Sequence, residues 1–279
     1  MTLTEYSVYA LSPDKSGVYH YHDEGWMKVG GPAGRLYGGD LGLVATNPDT
    51  GNLYMYCNEP DIWRHIGGPG ASFTVTKDAV YGLSPDKSGV YRYDGHDTSW
   101  TKVGGPAGQL YGGPWGLVAT NPDTGNLYMY CNEPDIWRHI GGPGACFAVT
   151  ADSVYGLSPD KSGVYRYDGH DTSWTKVGGP AGQLYGGDWG LVATNPDTGD
   201  VYGYRYIDPA DNPDQPAGWG YLGGPGADFS VTYESVFGLS PDRSGVWRLR
   251  DGDSSWQPIG GPAESIAAAL WVSRHPDPH

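Results

Sequence analysis

The chain has 279 residues, with 46 Gly, 23 Pro and a formal net charge of −15. This negative charge argues against a nucleic-acid partner and against anionic membranes, because both need a basic face. No apolar run approaches the ~18 residues of a membrane-spanning helix, so no membrane insertion is expected.

The N-terminal sequence MTLTEYSVYALSP has neither a basic start nor a long apolar run, so no classical signal peptide is expected. The three cysteines, Cys57, Cys131 and Cys146, do not recur in every unit as a disulfide framework would, which predicts free thiols. We therefore expect a cytoplasmic protein, or one secreted without a classical signal peptide.

One sequence pattern repeats along almost the whole chain. A Trp followed four residues later by Gly-Gly-Pro occurs at Trp26, Trp63, Trp100, Trp137, Trp174, Trp219 and Trp256. The spacing is 37 residues except for 45 between Trp174 and Trp219. A fixed period in this range is typical of propellers, solenoids and arrays.

Two kinds of unit alternate, exemplified by residues 80–113 and residues 42–76. Each contains four short runs rich in Val, Tyr, Leu and Trp, separated by Pro-Asp, Asp-Gly and Gly-Gly-Pro turn sequences. Four strands with short connections and no helical period predict one antiparallel sheet per unit. The whole chain is therefore predicted to be an all-β, seven-bladed propeller, a single domain over residues 1–273. The predicted blades are 5–39, 40–76, 77–113, 114–150, 151–187, 188–232 and 233–273, followed by a tail at 274–279.

Two segments compete to close the predicted ring. Residues 1–4 align with Phe73–Thr76, the last strand of a unit, whereas Ser265–Arg274 occupies the last-strand position of the seventh unit. The run Ala267–Ala269 favours helix over strand, which weakens closure by the C-terminal segment but leaves both options open.

The motifs present in every unit have structural interpretations. Pro-Asp turns combine the fixed φ of Pro with the capping carboxylate of Asp. Gly-Gly-Pro is interpreted as a turn after the Trp strand, because no helix or Lys-Ser pair follows to cradle a phosphate. The seven Trp side chains are predicted to pack between neighbouring blades.

The candidate ligand-binding residues lie where the two kinds of unit differ, on turns of the opposite face. An aromatic plate beside carboxylate, amide and imidazole groups suits a sugar ring and its hydroxyls. These candidates are Trp115, Trp189, His96, Asp97, His170, Asp171, Glu59, Asp61, Glu133 and Asp135. Because units alternate, sites between blades are expected in up to three near-equal copies.

The sequence does not favour catalysis. It contains no Gly-x-Ser-x-Gly or His-Glu-x-x-His motif, and its His and Asp residues recur, whereas a catalytic site is normally one asymmetric constellation. Only the insertion 207–218, interpreted as an exposed loop, and the tail occur once. No catalytic residue, metal site or cofactor is predicted.

The strand motifs resemble a known family. The order F-x-V-T, S-V-Y-G-L-S-P-D, G-V-Y-R-Y and S-W-T-K-V-G-G is similar to tectonin and tachylectin-like propeller repeats, over about residues 3–271. The resemblance implies a lectin with several sugar sites between adjacent blades, and thus glycans or glycoconjugates as partners.

The predicted function is accordingly multivalent carbohydrate binding without enzymatic activity. Two alternatives stay open: an enzyme with one asymmetric pocket on the axis or under the 207–218 insertion, and a protein-interaction scaffold.

Overall fold

The computed structural model describes residues 3–22, 25–205 and 218–273. Twenty-eight strands occur in this part of the chain. The first fourteen are β1 Leu3–Leu11, β2 Val18–His22, β3 Gly25–Gly30, β4 Arg35–Gly39, β5 Gly42–Thr46, β6 Leu53–Tyr56, β7 Trp63–Gly67, β8 Ser72–Val75, β9 Val80–Leu83, β10 Val90–Tyr93, β11 Trp100–Gly104, β12 Leu110–Gly113, β13 Gly116–Thr120 and β14 Leu127–Tyr130. The others are β15 Trp137–Gly141, β16 Cys146–Val149, β17 Val154–Leu157, β18 Val164–Tyr167, β19 Trp174–Gly178, β20 Leu184–Gly187, β21 Gly190–Thr194, β22 Val201–Arg205, β23 Gly218–Gly223, β24 Asp228–Val231, β25 Ser235–Leu239, β26 Val246–Arg250, β27 Gln257–Gly260 and β28 Ser265–Ser273.

The strands form seven four-stranded antiparallel sheets, which confirms the predicted seven-bladed propeller. Blade 1 contains β28, β1, β2 and β3, and blades 2 to 7 take the following strands four at a time, from β4–β7 to β24–β27. The sheets are displaced by one strand from the predicted blade limits. The fourth run of each sequence unit, such as Leu110–Gly113, is the innermost strand of the next sheet. No helix long and apolar enough to cross a membrane occurs in the described ranges.

The hydrophobic core lies between the blades. Seven clusters of buried side chains each span one junction of neighbouring sheets. In β5, for example, Leu43 and Ala45 face blade 1 whereas Val44 faces blade 3. Successive residues of a strand point to opposite faces, so both faces of every sheet are covered and the inner strands are mainly apolar or small residues.

The repeated Trp residues join each blade to the one before it. Every third-to-fourth strand pair has a register shift that skips one residue of the outer strand, as at Val29 between the pairs Val18–Gly30 and Tyr19–Lys28. The carbonyl of the skipped residue accepts a hydrogen bond from the indole Nε1 of the next blade, here Trp63 at 2.8 Å. All seven Trp residues of the repeat donate this bond, at 2.6 to 2.8 Å. The prediction that these residues pack between blades is confirmed.

The first glycine of Gly-Gly-Pro makes room for that indole. A Cβ at Gly104 would lie 2.8 Å from Nε1 of Trp137, and the other six first glycines have the same neighbour. Bulge, Trp and first glycine are therefore one device, used at every junction of the ring.

The C-terminal strand closes the ring, contrary to the expectation from helix propensity. Strand β28 lies innermost in blade 1 and pairs with β1 along nine residues, from Leu3 opposite Ser273 to Leu11 opposite Ser265. The alanines at 267–269 are strand, because pairing with β1 and packing on both sides outweigh an intrinsic preference of a few tenths of a kcal/mol. Residues 3 and 4 lengthen β1 and do not replace β28.

Candidate functional site

Turns alternate between the two faces of the ring. The variable face carries the turns from first to second and from third to fourth strand of each blade. The Gly-Gly-Pro face carries the Pro-Asp turns and the Gly-Gly-Pro connections between blades. All ten candidate residues lie on turns of the variable face, but at several different junctions.

Around Trp115 the structure brings three candidates together at the junction of blades 4 and 5. The backbone N–H of Trp115 donates to the carbonyl of Thr150 at 3.1 Å, and its ring meets that of Tyr167 edge-on at 6.0 Å between centroids. The Tyr167 hydroxyl donates to the carbonyl of Asp171 at 3.3 Å. His170 Nδ1 lies 3.7 Å from Asp171 Oδ2, and both side chains are exposed. Tyr167 thus links the half-buried indole to the turn that carries the exposed carboxylate and imidazole.

The surroundings of Trp189, the equivalent residue in blade 6, are different. Its indole Nε1 donates to Asp251 Oδ1 at 3.2 Å, and the Arg205 guanidinium lies 4.3 Å from the ring centroid. Arg205 is also 2.9 Å from Asp251 Oδ1. In blade 2 the equivalent residue is Leu41. The expected near-equal copies are therefore absent at these three junctions of the described structure.

The remaining candidates are separated from the two Trp rings. Asp61 and Asp135 adopt positive φ near 61°, and their backbone N–H groups donate to carbonyls of the preceding blade, at the opposite side of their own blades from Leu41 and Trp115. Glu59 and Glu133 are exposed on the same turns. His96 and Asp97 repeat the His170–Asp171 arrangement at 3.7 Å, at the junction where Leu41 replaces Trp.

An acidic group joins three blades on the variable face. Tyr6 of blade 1 donates its hydroxyl to Asp188 Oδ2 of blade 6 at 2.7 Å. Burial, reinforced by the charge of Asp188, raises the pKa of Asp40 in blade 2 to about 6, against the lowering effects of Tyr6 and Lys77. Since blades 1 and 6 are not neighbours, the hydrogen bond between Tyr6 and Asp188 spans the central opening of the ring, which is narrow there.

The clefts of the molecule lie on the other face, which the sequence did not indicate. At five junctions a Gly-Gly-Pro turn of one blade and an aromatic pair of the next enclose 170 to 270 Å³. The pairs are Tyr54 with Trp63, Tyr128 with Trp137, Tyr202 with Trp219, Tyr165 with Trp174 and Trp247 with Trp256. We call these five the inter-blade clefts.

A register shift aims the first aromatic residue of each pair. The shift falls between Leu127 and Tyr128 in blade 4, and at the equivalent place in the other six blades. A β-bulge bends its strand and re-aims a side chain, and bulges are frequent beside functional sites. The same irregularity thus frees a carbonyl for the next Trp and sets the wall of a cleft.

Most polar atoms that line the clefts are already hydrogen-bonded within the protein. In the cleft between blades 3 and 4, Trp137 Nε1 donates to the Val103 carbonyl at 2.8 Å. Asn121 Oδ1 accepts the backbone N–H of Thr124 at 2.9 Å, and Thr120 Oγ1 accepts another backbone N–H at 3.0 Å. An occupant therefore meets mainly apolar and aromatic surface.

Neither metal binding nor redox pairing of cysteines is suggested by the described residues. Within the described ranges no three His, Cys, Asp or Glu side chains are grouped so that they could hold a metal. The cysteines are free thiols, and burial raises the pKa of Cys146. The insertion at 207–218, apart from Gly218, and the tail lie outside the described residues.

Comparisons with known proteins give the fold. No family model matches the chain, and no curated protein matches it. A chain of the crystal structure of Kap60 bound to yeast RCC1 (Prp20) has a TM-score of 0.65 at 10% identity, covering 94% of this chain and 84% of that one.

Two further solved structures are similar over most of this chain. The CRINKLY WD40 ectodomain of the Arabidopsis thaliana receptor kinase ACR4 has a TM-score of 0.55 at 13% identity, covering 93% of this chain and all (100%) of that one. Apo AztD from Citrobacter koseri has a TM-score of 0.51 at 13% identity, covering 98% and 100%. At these identities the likeness shows the β-propeller fold alone and gives no information about a ligand.

Proposed function

We propose that the protein is a non-catalytic scaffold that binds protein partners through its repeated inter-blade clefts. The observation that carries the proposal is the recurrence of one cleft architecture at five junctions. A catalytic centre needs one asymmetric constellation, whereas repeated equal sites serve multivalent binding. The similarity to an RCC1 complex and to a receptor ectodomain agrees with a binding role.

The chemistry of the clefts favours a protein ligand over a sugar. A pyranose needs several fixed donors and acceptors for its hydroxyls, because a site that leaves polar groups unpaired loses affinity. In the clefts most such groups are engaged by the chain itself, while Tyr, Trp and Pro surfaces face the open space. An apolar side chain of a partner protein suits these walls.

Each cleft is small, so high affinity requires one partner to occupy several clefts. A volume near 200 Å³ admits roughly one or two side chains, and a contact of this kind has a Kd on the order of a millimolar, about −4 kcal/mol. Several clefts on one rigid ring raise the apparent affinity by roughly 10²–10⁴ when one partner reaches more than one cleft.

Carbohydrate binding is the second candidate, and one observation favours it. Trp115 combines a half-buried indole with the exposed His170 and Asp171 side chains nearby, which is a suitable surface for a sugar ring. Trp189 is less suitable, because Arg205 and Asp251 already occupy its ring face and its N–H. A sugar site of this kind is therefore expected once per chain.

One pair of substitutions distinguishes the two candidates. Gly105→Leu projects into the cleft between blades 3 and 4, whereas Trp115→Ala removes the plate on the variable face. Binding of a peptide array and of a glycan array is measured for both variants. Peptide binding that is weakened by Gly105→Leu and unchanged by Trp115→Ala supports the scaffold. Glycan binding lost in Trp115→Ala, without any peptide binding, would refute it.

A further inference from the structure

The two glycines of Gly-Gly-Pro have different surroundings. A Cβ on the first would strike the indole of the next blade, so the fold requires glycine there. A Cβ on the second, as at Gly31, Gly105 or Gly179, would have no atom within 4 Å. None of the second glycines has a positive φ, and a following proline requires no glycine before it. The fold itself gives no reason for glycine at this position.

The second glycine persists where most of the sequence has changed. Residues 80–113 and 43–76 align without gaps and share only eight identities. These are the Pro-Asp turn at 85–86, Tyr91, Tyr93, Trp100 and Gly-Gly-Pro at 104–106. Tyr93 is core, the turn is shaped by Pro-Asp, and Trp with the first glycine makes the junction. The other shared positions, equivalent to Tyr91, the second glycine and its proline, line the inter-blade clefts.

A bare glycine beside an aromatic pair suits a ligand whose main chain passes close to the protein. Glycine is used where a backbone or ligand approaches too closely for a Cβ. Here nothing of this chain makes that approach at Gly105. The space is therefore available to a partner.

On the basis of the proposed scaffold function, we propose that the inter-blade clefts bind basic, proline-rich segments of partner proteins. Proline presents an apolar ring and has no N–H, so it needs no hydrogen-bond acceptor from a cleft wall whose polar atoms are already bonded within the chain. Aromatic-lined grooves bind proline-rich chains because the polyproline conformation is already extended and loses little entropy on binding. Tyr128, Trp137 and Pro106 provide such walls.

Charge selects the flanking residues of the segment. The chain carries a net charge of −15. The Asn-Pro-Asp-Thr turns that border three of the clefts contribute exposed Asp49, Asp123 and Asp197. The lysines on the other side of these clefts are engaged within the chain, Lys15 with Glu264 at 3.3 Å and Lys87 and Lys161 with backbone carbonyls at 3.2 Å. Lysine or arginine beside the prolines complements this field, which raises the association rate and makes binding sensitive to salt.

The test uses a fluorescein-labelled oligoproline flanked by arginines. Two matched peptides keep the arginines and replace the prolines by a glycine-serine mixture or by leucines. Fluorescence anisotropy is measured with the full chain, with the triple variant Gly31→Leu, Gly105→Leu, Gly179→Leu, and with Gly220→Leu as control. Gly220 is also a glycine with open space around a Cβ and ordinary φ, and it does not line any of the five clefts, although the preceding residue Trp219 does. Unchanged melting of the triple variant shows that it folds.

We expect the oligoproline to bind at least about tenfold more tightly than the glycine-serine peptide. The triple variant is expected to weaken oligoproline binding by about tenfold or more, while Gly220→Leu leaves it unchanged. Equal binding of the oligoproline and glycine-serine peptides would show that the arginines alone cause the binding, and it would overturn the inference. Cleft-dependent binding that is tighter for the leucine peptide would overturn the proline assignment but leave the scaffold function intact. Absence of cleft-dependent binding for all three peptides would overturn the inference. If the protein also binds no peptide of the array, the proposed scaffold function is wrong as well.

Discussion

The two adjacent glycines of Gly-Gly-Pro provide a sharp test of the fold. Gly104→Ala places a methyl group 2.8 Å from Nε1 and 3.0 Å from Cε2 of Trp137. The indole must move, and its 2.8 Å hydrogen bond to the Val103 carbonyl is strained or lost. Gly105→Ala places the same methyl group in open space.

The expected magnitudes follow from these contacts. Loss of a buried hydrogen bond costs about 1–3 kcal/mol, and overpacking adds about 1–3 kcal/mol. Gly104→Ala should therefore lower the free energy of unfolding by about 2–6 kcal/mol. Gly105→Ala should raise it by about 0.4–1 kcal/mol, because alanine restricts the unfolded chain at a compatible φ. With an unfolding entropy of about 2 cal/mol/K per residue, a loss of 3 kcal/mol lowers the Tm by about 5 °C.

Thermal unfolding of both variants and of Trp137→Phe measures these effects. In the Trp137→Phe background Gly104→Ala should cost less than half as much, because the atom that it displaces is gone. Equal destabilisation by Gly104→Ala and Gly105→Ala would refute the division of roles between the two glycines. An unchanged cost in the Trp137→Phe background would refute the role of the indole.

Two further predictions concern blade 1. Burial, followed by the charge of His22, lowers the pKa of His20 to about 4 from 6.5. Because this pKa is lowered in the folded state, the free energy of unfolding falls by on the order of 3 kcal/mol as pH decreases from 6.5 to about 4. The stability of His20→Met, measured by urea unfolding, should therefore depend less on pH in this window. Methionine is chosen because Met55 occupies the equivalent position in blade 2. An unaltered pH profile would contradict the assignment of this pH dependence to His20. A chain that ends before Ser265 lacks β28 and exposes the inner edge of β1, so it should aggregate in size-exclusion chromatography. Adding the β28 segment as a peptide should restore the monomer, and a truncated chain that melts like the full one would contradict closure by this strand.

The number of blades was predictable because the Trp and Gly-Gly-Pro spacing is a local signal. The sheet boundaries were not, because the pattern of residues 109–113 shows a strand without showing its partner. The terminus that closes the ring could not be decided from the sequence for a related reason. The alanines at 267–269 have helix propensity, yet their place between β1 and the neighbouring inner strands decides their conformation.

The candidate site shows the same limit. The sequence placed Trp115 and Asp171 among the candidates for one kind of sugar site. The structure links the two residues through Tyr167. The sequence analysis treated Trp189 as an equal copy of Trp115. In the structure Arg205 and Asp251, which occur once, contact the ring face and the indole N–H of Trp189. The inter-blade clefts were missed because Gly-Gly-Pro was interpreted only as a turn.

The way in which the blades are joined explains why one face is uniform and the other is not. Each junction uses a backbone carbonyl as acceptor, so the residue that supplies it varies freely among Val29, Ile66 and Leu222. Only the Trp donor and the first glycine are fixed, at the two ends of the outer strand. In blades 2 and 4 the variable-face turn also donates to this carbonyl, but through the backbone N–H of Asp61 or Asp135, so the side chains of these turns are free to diverge.

Recurrence of the clefts follows from the junction device, which repeats around the ring and so supplies the several binding positions of the proposed function. The second glycine is different. It lines the clefts without contributing to the junction, and a leucine or serine there meets no atom of this chain within reach of its Cβ. A position that the fold leaves free, yet holds as glycine in all seven units, points to a constraint from outside the chain. We therefore propose that binding takes place on the Gly-Gly-Pro face.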